Sequence, residues 1–463
     1  NHQVSLNTGN DLSKLYVSFG HYDNQGTQLN QGYTRNTFKV NGEITPRKWV
    51  TAGISMNMAN GVQDYGTINR SGSATGAKDL YGMALSQIIM AQPYDANGDF
   101  IKYPGGNSTT PLYNPMIDID ESADQRNTTN IQTNLFGEIR FTPWLKYRIN
   151  YGLFLNNYTR GSWQSSQSTL RRYSTTFAGA AASYETSKSK QWLVENILNF
   201  DKTFASIHTV SATLMQSAQK NVREGSTLSA SKILTDASKW YDLSSNTVGS
   251  PDGYGTSYVG SQILSYMGRL NYSLLDRYIL TATIRFDGAS VLASGNKWAS
   301  FPSLAAAWKM QEESFLSDVS WLNELKLRAG YGQTGNAAIE PYTSTGPLSV
   351  YDYVFGTSPA VSFLPYLMSN PTVTWERTAQ SNIGLDFGML NNRIAGSIDL
   401  YDSNTSGLLM ERTLPAILGY PFIVDNIGKS RNRGIEISLS TKNIVNRDFT
   451  WNTDLSFAHN KEE

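Results

Sequence analysis

The chain has no cysteine among its 463 residues. That excludes disulfides, thiolate nucleophiles and cysteine-ligated metals, and it suits a protein that crosses an oxidising periplasm. Charge is scarce. Charged residues make up 16% of the chain, below the ~25% of an average soluble protein. The charge is also balanced, with 38 basic and 38 acidic residues. A net charge of zero supplies no basic stripe, so nucleic acid is not an expected partner. Long apolar runs are missing as well. No stretch approaches the ~20 apolar residues of a membrane helix. Such a chain can enter a bilayer only by closing a sheet, because every backbone polar group must be paired inside lipid.

Aromatics, by contrast, are abundant: 12% of the residues, including 26 Tyr and 10 Trp. The dominant hydrophobic period is two. Leu145, Tyr147, Ile149, Tyr151, Leu153 and Leu155 share one face, and Lys146, Arg148, Asn150, Gly152, Phe154 and Asn156 the other. Successive strand side chains point to opposite faces, so this is a strand with one greasy and one wet face. The pattern recurs in Tyr278, Leu280, Ala282, Ile284 and Phe286 against Thr281, Thr283, Arg285 and Asp287. It recurs again in Ser381, Ile383, Leu385 and Phe387, and in Trp451, Leu455 and Phe457.

Short and long connections alternate. Short turns are expected near Pro46 and Arg47, Pro143, Asp201 and Lys202, Leu275 and Asp276, and Asn391 and Asn392, with a longer one at 311–320. Long polar connections are expected near 60–127, 159–182, 221–256, 334–373 and 403–429. That rhythm fits strands running up and down through a membrane, about 16 of them in about eight hairpins. Trp49, Trp144, Trp321 and Trp451 each follow a short connection. Amphipathic rings belong at the headgroup level. The fold class read from these features is all-β, a transmembrane antiparallel up-and-down β-barrel. A soluble β-protein core would account for the tryptophans too, but loops of this length are uncommon in a compact soluble domain.

The second half of the chain closely resembles the SusC/RagA family of TonB-linked outer-membrane transporters. The segments that carry the resemblance come in the family's order. They are GRLNYSLLDRYILTATIRFDGAS at 268–290, NKWASFPSLAAAWKMQEESFL at 296–316 and WLNELKLRAGYGQTGN at 321–336. WERTAQSNIGLDFGMLNNRIAGSIDLYDSNTSGLLM at 375–410 and NIGKSRNRGIEISLSTK at 426–442 follow. Residues 4–22 are similar to the family's first barrel hairpins. The resemblance implies a barrel of about 22 strands with a plugged lumen. It implies a TonB box on the plug, coupling to the proton-motive force, and a SusD-like surface lipoprotein that helps to capture glycans or oligopeptides.

Two departures are evident. No plug or TonB box is present, and the chain stops at Lys461, Glu462 and Glu463 rather than at a closing aromatic. It opens at Asn1 inside a strand pattern, with no signal peptide. Residues 1–463 are therefore expected to be a partial outer-membrane barrel domain, short of the plug and of about six closing strands.

Chemistry-bearing motifs are few. Gly330, Gly332 and Gly335 have dinucleotide-loop spacing, but no βαβ setting surrounds them. Tyr94 to Phe100 places oxygens at alternating positions without the distal glutamate of a calcium loop, so a plain turn is expected. His2, His21, His208 and His459 share no ligand spacing. Glu312 and Glu313 are expected to form a solvated turn. Gly288 is expected to permit the bend that leaves its strand. No catalytic residue, metal or cofactor is assigned, and the chain is not expected to be an enzyme.

Trp163, Trp240, Tyr241 and Tyr254 fall in the long connections and are the candidate substrate-binding rings. Loop packing or contact with a capping lipoprotein are the other roles open to them. The expected function is TonB-dependent import of large nutrients. A passive porin of about 16 strands and a surface β-structural adhesin are the competing readings.

Overall fold

The structure is a computed structural model. It describes residues 1–66, 80–106, 112–172, 178–247, 249, 251–365 and 367–463. The strands are β1 (His2–Gly9), β2 (Ser13–Gln25), β3 (Gln31–Arg47), β4 (Val50–Gly66), β5 (Ser122–Thr142), β6 (Leu145–Gln164) and β7 (Ala180–Phe204). They continue as β8 (His208–Ile233), β9 (Gly253–Leu274), β10 (Tyr278–Ala289), β11 (Trp298–Lys309) and β12 (Leu322–Asn336). Next come the hairpin β13 (Leu348–Phe355) and β14 (Ser358–Pro365), then β15 (Glu376–Met389) and β16 (Ile394–Ser406). A second hairpin, β17 (Leu409–Thr413) and β18 (Phe422–Asn426), precedes β19 (Lys429–Val445) and β20 (Thr450–Glu462).

Sixteen strands form one antiparallel sheet in the order of the chain, and the two hairpins stand apart in the connections. The expected strand count is met. Among the described residues, β1 pairs with β2 alone and β20 with β19 alone.

Alternation builds two faces. Val17 pairs with Leu6 and Val40, and Val40 with Met56, so one apolar row crosses four strands. Ala329, Ile383, Leu400 and Ile435 make another such row on β12, β15, β16 and β19. The opposite face carries charge. Arg328 Nε and Nη2 donate to the two Asp386 carboxylate oxygens at 2.8 and 2.7 Å, and Nη2 also reaches Asp399 at 3.0 Å. Arg285 donates to Asp287 at 2.8 Å and to Ser265 Oγ at 2.9 Å. The apolar face can meet lipid because these charges turn away from it; an arginine at mid-depth on the lipid face would cost about 2–4 kcal/mol.

At the short-turn end, Ala205 and Ser206, Leu275 and Asp276, and Asn391 and Asn392 all have positive φ. Consecutive left-handed residues match the right-handed twist of the strands they join. The turn expected at Asp201 and Lys202 lies farther on. Those residues still pair with Ser211 and Val210, and polar side chains at a strand end do not oblige the chain to turn.

Rings mark the same end. Tyr278 stacks on Trp308 with centroids 6.4 Å apart, and Trp144 meets Phe200 edge-on at 5.3 Å. Trp49, Trp321 and Trp451 are exposed there. Glu313 is not merely solvated. Its Oε1 accepts from Tyr278 OH at 2.6 Å and from Trp308 Nε1 at 3.0 Å.

At the long-loop end the strands outrun expectation. The connections shrink to 165–179 and 234–252 because β7 and β8 are 25 and 26 residues long. About 9–11 residues suffice to cross a membrane. Beyond the lipid both faces can be wet, so polar composition no longer separates strand from loop. One assigned glycine role also changes. Gly288 lies under the Trp298 ring, where a Cβ would sit 2.6 Å from it, so close approach is what requires the glycine. Gly330 pairs within β12 and leaves room for Asn382. The Tyr94–Phe100 segment is a closed turn, with Asp95 Oδ1 accepting from the Asn97 and Asp99 amides at 2.8 and 3.0 Å.

Candidate functional site

A cleft of about 620 Å³ opens on the charged, inward face at the long-loop end. Its floor is Asn221 and Arg223 of β8 with Val259 and Ser261 of β9. Asn221 pairs with Ser261 and Arg223 with Val259, all on the face of Thr213 and Arg269. Connection 337–375 supplies Glu340, Thr343 and Leu367, and the β17–β18 hairpin supplies Met410, Glu411 and Phe422. Three charged side chains therefore line the cleft among amide, hydroxyl and apolar groups.

Hydrogen bonds fix the walls. Asn370 Nδ2 donates to Val424 O at 2.8 Å. Asn426 Nδ2 donates to Thr374 O and Gly407 O, both at 2.9 Å. The Leu409 amide donates to Glu376 Oε2 at 3.1 Å. Trp375 ties this frame to the sheet: its Nε1 donates to Lys297 O at 2.9 Å, and its ring meets Phe301 edge-on at 5.4 Å. Ala289, Leu292 and Ala299 pack with these two rings in a buried cluster. A connection whose buried polar groups are this well satisfied is held in one place.

The four candidate rings are elsewhere. Trp163 is on β6 and Tyr254 on β9, both on strands rather than in loops. Strand alternation puts Trp163 on the face of Tyr147 and Tyr254 on the face of Tyr266, which is the outward face of the wall. Trp163 and Trp240 are only 6% and 9% exposed, packed with Ala180, Ala182, Ala230 and Ile233. Trp240 lies flat on Gly161, where a Cβ would be 2.2 Å from the ring. Connection 234–252 thus folds back over the outside of β6–β8. Tyr241 and Tyr254 remain 78% and 82% exposed. The structure groups Trp163, Trp240 and Tyr241 and places none of the four among the residues lining the cleft.

The sequence profile described as TonB dependent receptor-like, beta-barrel matches residues 81–462. The chain belongs to that family. It is 30% identical over 468 residues to TonB-dependent receptor P3 of Formosa agariphila, covering 100% of this chain and 45% of that protein. It is 42% identical over 207 residues to TonB-dependent receptor SusC of Bacteroides thetaiotaomicron, covering 43% of this chain and 20% of SusC. The solved RagAB peptide transporter shares its fold, with a TM-score of 0.84 and 21% identity over 100% of this chain and 50% of that one. The chain spans about half the length of the curated relatives it matches.

This SusC/RagA-like receptor wall is accordingly an outer-membrane β-barrel wall. Its short turns face the periplasm and its long connections the exterior. The names of its relatives are those of receptors and transporters, not enzymes. Sequence reasoning missed the cleft because its walls come from connections that fold inward. One signal was available. Counting alternation outward from Thr213 gives Arg223 the inward parity, although 221–256 reads as a loop by composition.

Proposed function

We propose that the chain is the wall of a TonB-driven importer of large nutrients, glycans or oligopeptides. The substrate enters through the inward cleft at the extracellular mouth. The cleft carries this reading: its backbone is pinned and its lining mixes Arg223, Glu340 and Glu411 with amides and apolar groups. A few well-placed polar groups in an apolar setting are what orient an extended polar ligand. Tyr241 and Tyr254 take part in the first contact with substrate outside the mouth, and Trp163 and Trp240 hold the loop beneath them. A SusD-like surface lipoprotein is the partner at this end, and the TonB complex acts from the periplasm. The TonB part is supported by P3 and SusC, both TonB-dependent receptors by name.

Uptake by the full-length protein in its native host tests the mechanism. Removing the TonB partner is expected to abolish uptake, and undiminished uptake overturns the energised reading. A porin reading has one observation in its favour, the sixteen strands in continuous register. The relatives weigh against it, since P3 and SusC are both TonB-dependent receptors by name. Planar-bilayer recording of the full-length protein separates the two: silence is expected, and steady open conductance would favour the porin.

A further inference from the structure

The lipid-facing wall is interrupted by a polar chain. Ile149, Asn196, Gln216 and Tyr266 form one register row across β6–β9. All four have the outward parity. Tyr147 OH donates to Asn196 Oδ1 at 2.6 Å, and Asn196 Nδ2 donates to Gln216 Oε1 at 2.7 Å. The chain ends at Gln216 Nε2, for which no acceptor exists among the described residues.

A cavity of about 530 Å³ opens beside that amide, bounded by Leu198, Leu214, Gly268, Ile284 and Phe286. Gly268 makes it concave. A Cβ there would meet only Leu214 and Ile284, at 3.7 and 3.9 Å. Its depth follows from the rings. The row lies two residues below Trp298, which pairs with Gly288, and six residues above Tyr272. Six tilted strand residues rise about 15 Å, so the row sits in the outer part of the hydrocarbon band.

Water is scarce below the ring level, and an unpaired amide N–H in hydrocarbon is costly. The acceptor has to come from whatever surrounds the barrel. We infer that this is a binding site for one membrane lipid. An acyl chain lies in the notch over Gly268, and an ester carbonyl or acyl hydroxyl oxygen of the same lipid accepts from Gln216 Nε2. Such oxygens lie just inside the headgroup boundary, close to the Trp298 ring level. A second barrel fits the notch less well. Two convex walls touch along a line and leave a concavity empty, whereas a flexible chain enters it.

Native mass spectrometry of the full-length protein, extracted from the outer membrane in mild detergent, tests the site. The unaltered protein is expected to carry one lipid-mass adduct per barrel. Gly268→Leu, which fills the notch, is expected to lose it. Gln216→Leu keeps an outward side chain compatible with lipid, and it is expected to release the adduct at lower collision energy. Ala306→Leu, on the outward face away from the notch, is expected to keep it. A heat-dependent gel shift confirms that each variant is folded, and if Gly268→Leu does not fold, Gln216→Leu decides alone. The site is overturned if the folded variants keep the adduct of the unaltered protein. It is also overturned if the unaltered protein has no adduct, or if the variants instead dissociate a dimer that carries no lipid.

Discussion

Gly384 shows how closely the inward face is fitted. It pairs with Arg328 and Asp399, and a Cβ there would lie 2.4 Å from Asp399 Oδ1 and 2.7 Å from Arg328 Nη2. The Arg328–Asp399 contact passes over that empty space, and a Cβ there would push the two side chains aside. Gly384→Ala is expected to lower the stability of the full-length protein by about 1–3 kcal/mol, the usual range for overpacking. Urea unfolding in detergent measures it, and an unchanged midpoint would remove the steric argument. Glu313 supplies a pH-dependent counterpart in a periplasmic connection. The Tyr278 hydroxyl above all, then Trp308 Nε1 and Arg277, hold its carboxyl below the usual carboxylate range. A depressed folded pKa stabilises above the unfolded value of about 4.3 and ceases to do so as pH falls through the folded value. Thermal stability should therefore fall on acidification through that window, and Glu313→Gln should flatten the fall. Equal acid sensitivity in both proteins would show that the bond contributes nothing. The residue types at these positions are legible in the sequence, but neither the empty volume beside Gly384 nor the partners of Glu313 can be read there.

The strands of the wall are the elements best read from sequence, because period-two alternation and register depend on nearest neighbours. The connections are the least legible, since their conformation depends on what they fold against. Connection 234–252 is an example. For Trp240 and Trp163 the sequence left substrate contact and loop packing both open, and they are buried against alanines and Gly161. Gly161→Val should displace Trp240 at a cost of about 1–3 kcal/mol and speed proteolysis within 234–252 by roughly tenfold. An unchanged cleavage rate would mean that the connection is held some other way. The β13–β14 hairpin is the opposite case. It exposes Val350, Phe355, Val361 and Phe363, and among the described residues it pairs with no strand of the main sheet. A lone two-stranded hairpin is marginal in water, so the wall gains little from it.

At the scale of the whole molecule, the outer edges of β1 and β20 are unpaired among the described residues. In lipid an unpaired strand edge is not tolerated. The 463-residue chain expressed by itself should therefore fail to give a heat-modifiable barrel in detergent, while the full-length protein gives one. A stable, heat-modifiable species from this chain alone would show that β1 and β20 can meet. The sequence by itself determined the all-β class, the strand count, the lipid-facing parity and the family, because alternation and motif order are written locally along the chain. Tertiary structure alone decided where the cleft lies, what the candidate rings pack against, and that an amide chain at Gln216 meets hydrocarbon. Local alternation gives the parity of Arg223, Trp163 and Gln216, but what packs over each of them depends on which distant segments come together and which face of a long strand a connection covers.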